Sequence, residues 1–424
     1  MVTQSIAQKF LANIRVILGG RLIVTALSLG TMWLTARFLP IDERGLFVTL
    51  VVWATVLASV GSLSIGKAAF KRSGQSQALD KGWLPGCLGA ALTFNGLGAI
   101  PVVIIALVVL PGKATGGTSN LELSLSILLI TSLMLSTAKS EILLACGQVR
   151  ARSLSIVCGG VSCLVFTLLF VVVLRFGVAG ALSARALGAI VAGSISLRVL
   201  WSEAGGRATF GLQELRGWLH DALKIHPNAV GNLVRARVDV IMLAYFVEKA
   251  EVSIYELAMR FVDLILMIPN TASASLLGQL SENNIDDLWG AQKRIIGVVM
   301  ALVVAVVAVT YLIVPYFLTL AFGPSYALSG VYFQLLAPIV VGKTFGGLMS
   351  SQILGRGLLV QASIIGIGTT ALNVFLNYKL IPIYGTKGAI YATLVAYGLM
   401  PIIFNTYYWF KINRMCKLEV KFMG

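Results

Sequence analysis

Apolar runs long enough to cross about 30 Å of hydrocarbon as a helix follow one another along the chain at roughly 12–36, 46–66, 84–110, 122–145, 154–174, 178–200, 226–247, 253–275, 294–314, 329–353, 358–380 and 386–410. Lipid offers backbone polar groups no partner, so each run must close its hydrogen bonds within itself. Such a series folds as a helical membrane bundle. The composition agrees, at 58% hydrophobic and 12% charged residues, outside the range of soluble domains. The expected fold is therefore all-α and polytopic, with about twelve transmembrane helices.

A formal charge of +16 would suggest nucleic acid in a soluble protein, but here the sidedness of the loops accounts for most of it. With the N-terminus inside, 19 of the 33 Lys and Arg residues fall on the cytoplasmic side. That asymmetry places both termini in the cytoplasm, and no nucleic-acid partner is expected. No cleavable signal peptide is evident, because the first apolar run is too long and lacks a small-residue cleavage site. The cysteines (Cys87, Cys146, Cys158, Cys163 and Cys416) have no spacing that suggests disulfides or a metal site, and His220 and His226 are the only histidines. Neither a metal nor a cofactor is expected.

Within the spans the charges are selective. Asn228, Asn232, Arg235 and Asp239 recur at helical spacing along 226–247, and Glu256, Arg260, Asp263, Met267 and Asn270 do so along 253–275. A charge at the centre of a membrane helix costs about 2.5–3.5 kcal/mol on an insertion scale, so these stripes should face a bundle interior or a water-filled cavity. Arg21, with Thr25 and Ser28, forms a third stripe, Lys343 lies in the tenth span beyond Pro338, and Lys139 and Glu141 lie two residues apart in the fourth. The seven intramembrane cations are Arg21, Lys139, Arg185, Arg235, Arg237, Arg260 and Lys343, against the four acids Glu141, Asp239, Glu256 and Asp263. Complete pairing leaves three cations over, and an anion is the natural missing partner. Arg237 points away from Arg235 on the same helix. The acids Asp239, Glu256, Asp263 and Glu141 are candidates for charge pairs or for coupling to H+ or Na+.

The halves align at an offset of 208: Gly147 with Gly355, Ser155 with Ser363, Leu168 with Leu376, and the turn FGVAGAL at 176–182 with YGTKGAI at 384–390. Six helices per half give both halves the same orientation, so the repeat predicts two six-helix bundles around a central cavity. The expected domains are 1–200, a cytoplasmic linker at 201–224 and 225–424. In the linker, Leu212, Leu215, Leu219 and Leu223 mark an interfacial amphipathic helix. Prolines 269, 338 and 401 are candidate kinks. The acidic loop SENNIDDLWGAQKR reads as a solvated connection, with docking of a partner as the alternative.

Three stretches carry a family resemblance: NLVRARVDVIMLAYFVEKAEVSIYELAMRFVDLILMIPNTASASLLGQLSEN, LTLAFGPSYALSG and LNVFLNYKLIPIYGTKGAIYATLVAYGL. With the helix count and the 6+6 halves, the chain resembles the Wzx-type polysaccharide flippases of the multidrug/oligosaccharidyl-lipid/polysaccharide exporter superfamily. The resemblance implies translocation of an undecaprenyl-diphosphate-linked oligosaccharide, such as an O-antigen or other surface polysaccharide repeat unit of lipopolysaccharide, from the inner to the outer leaflet of a bacterial inner (plasma) membrane, by alternating access and without enzymatic chemistry. It also implies a cationic cavity, carried over here to Arg21, Arg235, Arg260, Lys343 and Arg237, with membrane lipids and polysaccharide-assembly proteins as partners. The acids beside those arginines are a departure. A cation-coupled drug exporter of the same superfamily is the alternative, disfavoured by the cation excess. An integral-membrane polymerase or glycosyltransferase would need a large extramembrane segment, which the short outer loops do not supply.

Overall fold

The computed structural model describes residues 2–75, 81–112, 116, 118–282 and 289–423. Its helices, in order, are α1 (Val2–Phe38), α2 (Ile41–Gly61), α3 (Ile65–Gln75), α4 (Leu84–Val109), α5 (Asn120–Ala145), α6 (Val149–Thr167), α7 (Gly177–Glu203), α8 (Leu212–Phe246), α9 (Lys249–Glu282), α10 (Trp289–Phe322), α11 (Ala327–Leu336), α12 (Pro338–Gly355), α13 (Leu359–Tyr384), α14 (Thr386–Thr393) and α15 (Met400–Met423). A π-helical turn, Leu168–Val173, extends α6, and another, Leu394–Leu399, joins α14 to α15. Among the described residues eight helices are long and apolar enough to cross a membrane, and nine if the pair α11 and α12, bent by 45°, is one span. The charge-bearing α8 and α9 and the 37-residue α1 bring the membrane-length rods to the expected twelve.

The chain divides into two compact units, Met1–Arg237 and Val238–Gly424. In the first, α2, α4, α5 and α7 enclose a core that includes Leu50, Ala54, Leu57, Val102, Leu129, Ile130, Met134 and Leu182. Helices α6 and α7 approach until backbone meets backbone. A Cβ on Gly159 would stand 2.7 Å from the Gly188 carbonyl oxygen, and one on Gly188 would stand 2.7 Å from that of Gly159. Small residues that let backbones meet are how membrane helices gain packing energy without a hydrophobic drive.

Several boundaries differ from the sequence reading. Residues 67–75, expected in a basic loop running from 67 to 82, belong instead to the helix α3, set off from α2 by a turn in which Leu63 and Ser64 are left-handed, with φ of 48° and 55°. Ile65, Ala68 and Ala69 of this helix are fully buried against α4 and α5, so its apolar face docks while Lys71 and Arg72 stay at the rim. Arg44, expected in an outer loop, lies in α2 and is buried, because α1 and α2 are separated only by Leu39 and Pro40. The acidic segment 283–288 and most of the 113–117 loop lie outside the described residues.

The amphipathic linker helix does not stop before His226; it continues as α8 to Phe246. Pro227 lacks an N–H donor and its ring crowds the carbonyl of the preceding turn, yet the helix runs through it. The first turns of α8 are strapped to the first unit. Trp218, fully buried, and Ala222 join the cluster of Ile65, Leu84, Cys87, Leu88 and Leu200, and the Arg72 guanidinium lies 3.9 Å from the Trp218 ring centroid. Lys71 Nζ donates to Asp221 Oδ1 at 2.5 Å and Arg72 Nε to Oδ2 at 3.2 Å. These hydrogen bonds, Lys71's first, hold the Asp221 carboxyl below its ordinary range. Thr209 N donates to the Pro85 carbonyl, Lys81 pairs with Glu203, and His226 Nδ1 meets the Ser64 hydroxyl at 3.1 Å.

The repeat is visible in backbone conformation, in a register that one offset does not capture. Gly147 N donates to Leu144 O and Gln148 N to Leu143 O, while Gly357 N donates to Leu354 O and Leu358 N to Ile353 O. Both are the same left-handed helix ending, with φ of 74° at Gly147 and 75° at Gly357. This pairs Gly147 with Gly357, not Gly355. After the next turn Gly177 and Gly385 match again, with φ of 57° and 56°, at the expected offset. The turn between helices in the first unit is thus two residues longer, and the expected match of Ser155 to Ser363 pairs a buried serine with an exposed one.

Candidate functional site

In the second unit the last turns of α8 and the helices α9, α12, α13 and α14 gather the polar residues of the spans. Asp239 is 7% exposed. Its Oδ2 accepts from the Tyr255 hydroxyl at 2.6 Å and its Oδ1 from the Val240 N–H at 2.9 Å. Tyr255, fully buried, is in turn hydrogen-bonded by Thr393. Asn373 Nδ2 donates to Thr393 Oγ1 at 3.4 Å, and Asn377 Nδ2 donates to Asn373 Oδ1 at 3.0 Å. Asn377 is fully buried, yet its Oδ1 has no partner among the described residues. A buried chain of polar groups ending in an unused oxygen is costly in a membrane core unless something small and positive completes it.

Glu256, Arg260 and Asp263 form a second group on α9. Glu256 is buried and accepts from Arg260 Nε at 2.5 Å, whereas the Arg260 side chain is 39% exposed. Asp263, Asn270 and Thr271 are exposed. The outward side of α9 therefore presents a guanidinium, a carboxylate, an amide and a hydroxyl at helical spacing, a surface that hydrocarbon does not tolerate and that water or a polar substrate does. Lys343, on α12, is half-buried with its ammonium 5.5 Å from the Tyr397 ring centroid, a cation–π contact.

The remaining candidates belong to the first unit. Arg21 is exposed on α1, and Arg235 and Arg237 are half-buried on α8. Asn228 and Asn232, on the same helix, are exposed and joined by a hydrogen bond of 3.1 Å. The stripe read from Asn228 to Asp239 does not keep one environment: it begins exposed and ends buried, because Tyr255 draws Asp239 inward. Glu141 is half-buried with Lys67 and Arg152 as its charged neighbours, the partners elsewhere that its spacing from Lys139 demanded. Lys139 is buried, and among the described residues no carboxylate reaches it.

Sequence reasoning missed Tyr255, Asn373, Asn377 and Thr393. Asn373 and Asn377 carried a usable signal, two amides four residues apart in an otherwise apolar span. Tyr255 and Thr393 carried none, since tyrosine and threonine are ordinary in membrane helices. Missed as well was Glu251, whose Oε2 accepts from the Tyr332 hydroxyl at 2.9 Å and from Thr386 Oγ1 at 2.7 Å. It ties α9 to α11 and α14. No cluster of three or more His, Cys, Asp or Glu able to hold a metal occurs among the described residues.

Membrane-length helices with buried charge and one polar face define the class: a multi-pass protein with a transporter fold. Solved structures agree. The chain is similar to an inward-facing multidrug resistance MATE family transporter of the MOP superfamily, at a TM-score of 0.74 and 18% identity, over 93% of this chain and 96% of that one. It is similar also to the lipid II flippase MurJ in an inward closed conformation, at a TM-score of 0.71 and 14% identity, over 96% and 91%. The particular family follows from the sequence. Residues 10–283 match the model of the polysaccharide biosynthesis protein family, and the chain belongs to that family. A curated relative, the probable flippase AglR of Haloferax volcanii, is 29% identical over 172 residues, 39% of this chain and 36% of that protein's length.

Proposed function

We propose that the protein is a flippase, and not an enzyme, that moves a lipid-diphosphate-linked oligosaccharide across the plasma membrane during assembly of a surface polysaccharide such as an O-antigen. The observation that carries this reading is the outward side of α9. Arg260 is oriented by Glu256 at 2.5 Å yet remains 39% exposed, beside the exposed Asp263, Asn270 and Thr271. A fixed guanidinium suits a diphosphate, which it can meet through two parallel N–H donors. The neighbouring amide and hydroxyl suit sugar hydroxyls. Lys343, in the same unit, supplies further positive charge, Arg21, Arg235 and Arg237 of the first unit are separate candidates for contact with the anionic substrate, and the lipid tail stays in the bilayer. Membership of the polysaccharide biosynthesis family and the likeness to a probable flippase support the same reading. Both termini lie in the cytoplasm, as the basic loops suggest.

The same reading assigns coupling to the buried group at Asp239. Its carboxylate, the hydroxyls of Tyr255 and Thr393 and the amide oxygens of Asn373 and Asn377 are hard oxygen donors, suited to H+ or Na+ rather than to a transition metal. The test is reconstitution in liposomes with a fluorescent prenyl-diphosphate oligosaccharide and a membrane-impermeant quencher. Wild-type protein should expose the label faster than empty liposomes, and Arg260→Gln should slow it at least tenfold. Equal rates with and without protein, or efflux of a cationic dye in place of the glycolipid, would remove the flippase reading in favour of a drug exporter. Loss of Na+ or pH dependence in Asp239→Asn, with the protein still folded, tests the coupling.

A further inference from the structure

At one end of the second unit, away from the residues assigned above, three helices meet: α10 where it begins at Trp289, α12 where it closes at Gly355, and α15 along its length. Trp289, at the start of α10, and Ile296 pack in the core that holds Leu348 and Met349 of α12 and Ile412 of α15, and Gln292, between them on the helix, is buried. Gln352 lies one turn beyond Leu348, and Arg356 caps α12. Gln292 is 1% exposed, and among the described residues neither its Nε2 nor its Oε1 has a partner; Gln352 is fully buried, and its Nε2 has none among them. Three buried amide atoms without partners, on residues one turn from Trp289 and one turn from the Arg356 that lies against it, are rare in a native fold and call for a missing group.

The surroundings say what kind. The Arg356 guanidinium lies 5.2 Å from the Trp289 ring centroid and donates from Nη1 to Gln352 Oε1 at 2.8 Å. Lys293 Nζ lies 5.7 Å from the same ring, and Asn413 Oδ1 accepts from Trp289 Nε1 at 2.9 Å and from Lys293 Nζ at 3.4 Å. Trp409 packs edge-on against Trp289 at 5.1 Å. Two cations, two free amide donors and the first turn of a long helix all favour an anion, and the free amide oxygen favours a hydroxyl beside it. Tryptophans at the end of a span mark head-group level. We propose that this corner binds an anionic phospholipid head group, its phosphate between Arg356, Lys293 and the glutamine amides and a head-group hydroxyl on Gln292 Oε1.

Asp286 and Asp287 precede α10 in the sequence and lie outside the described residues, so the test separates them as rival occupants. The full chain, purified in detergent and stripped of lipid, is incubated with dioleoyl phosphatidylglycerol, with dioleoyl phosphatidylcholine or with inorganic phosphate. Bound lipid is counted by native mass spectrometry and thermal stability is followed in parallel. Wild-type protein should hold one phosphatidylglycerol at least tenfold more tightly than phosphatidylcholine and melt higher with it. Lys293→Gln and Arg356→Gln should each erase most of that preference. Gln292→Leu, which removes both unpartnered atoms, should melt at or above the wild-type temperature without lipid and gain less from it. Equal preference in wild type and all three variants would mean that the glutamines are merely hydrated. Equal stabilisation by inorganic phosphate would overturn the lipid as its source. A preference that changes only when Asp286 and Asp287 are neutralised would make those acids the occupant and end the proposal.

Discussion

Replacing Asp221 by asparagine should loosen the first turns of α8 from the first unit without unfolding either unit. The carboxylate is nearly buried, its side chain 10% exposed, and it accepts two charge-assisted hydrogen bonds from side chains that are 44% (Lys71) and 26% (Arg72) exposed. A buried bond to a charged group contributes about 1.5–3 kcal/mol, an exposed pair about 0.2–1. The exposure of Lys71 moves its share toward the second figure, and asparagine keeps one acceptor. A loss of about 1.5 kcal/mol results, close to a tenfold rise in the opening equilibrium. Amide hydrogen exchange reads this directly: at pH 7 residues 212–225 should exchange about tenfold faster in Asp221→Asn, while α5 and α7 should not change. The pH dependence has a fixed sign. Because the folded state depresses this carboxyl, its contribution is full above the ordinary aspartate value near 3.8 and is lost as pH falls through the lower folded value. Acid should therefore loosen the same segment in the wild type, after correction for intrinsic exchange, and have no further effect on it in the variant. Unchanged protection at pH 7, or acid loosening that persists in Asp221→Asn, would refute the strap.

Trp218→Ala should act in the same direction and more strongly, by about 3–5 kcal/mol, seen as proteolysis of the segment around Ala208 that the wild type resists. Gly188→Ala should lower the melting temperature of the detergent-solubilised protein, since its Cβ would stand 2.7 Å from the Gly159 carbonyl and overpacking costs about 1–3 kcal/mol; an unchanged melt would mean that α6 and α7 separate freely. Tyr255→Phe removes one donor from a buried carboxylate, worth about 1.5–3 kcal/mol, and a double-mutant cycle with Asp239→Asn should show the two costs failing to add; additive costs would dissolve the pair. Cysteine at Asp263 or Asn270 should react with an impermeant thiol reagent far faster than cysteine at the buried Val262, and equal rates would deny the polar side of α9.

What the sequence made legible was set by the bilayer. Apolar length fixes the spans, and the cost of intramembrane charge drew attention to Arg260, Glu256 and Asp239 before any coordinate. The same reasoning failed where burial comes from packing. Arg44 directly follows the acidic pair Asp42–Glu43 in a stretch that reads as a loop, yet α2 already begins at Ile41 and the residue is enclosed. Residues 67–75 look like part of a basic loop because Lys67, Lys71 and Arg72 outweigh Ala68 and Ala69, although those two, with Ile65 just before them, dock one face. Asp239 matched its neighbours in spacing, but spacing cannot reveal that Tyr255, from the following helix, would take it inside. The buried asparagines 373 and 377 were in plain view, but each alone is a weak signal.

The two-residue difference between the turns that follow the paired helices says where a duplicated gene can drift. Within a span an inserted residue turns every later side chain by about 100° and carries charges onto the lipid, so helix lengths are frozen. The bend at Leu174–Phe176, which contains Arg175 with φ 53°, lies between a π-helical turn and a left-handed glycine. There an extra pair of residues changes no register on either side. Ancestral copies of such a bundle should therefore differ by whole steps in their corners while their rods keep pace. A search for the ancestor that allows gaps only at bends should recover more of the repeat than one that slides the halves rigidly.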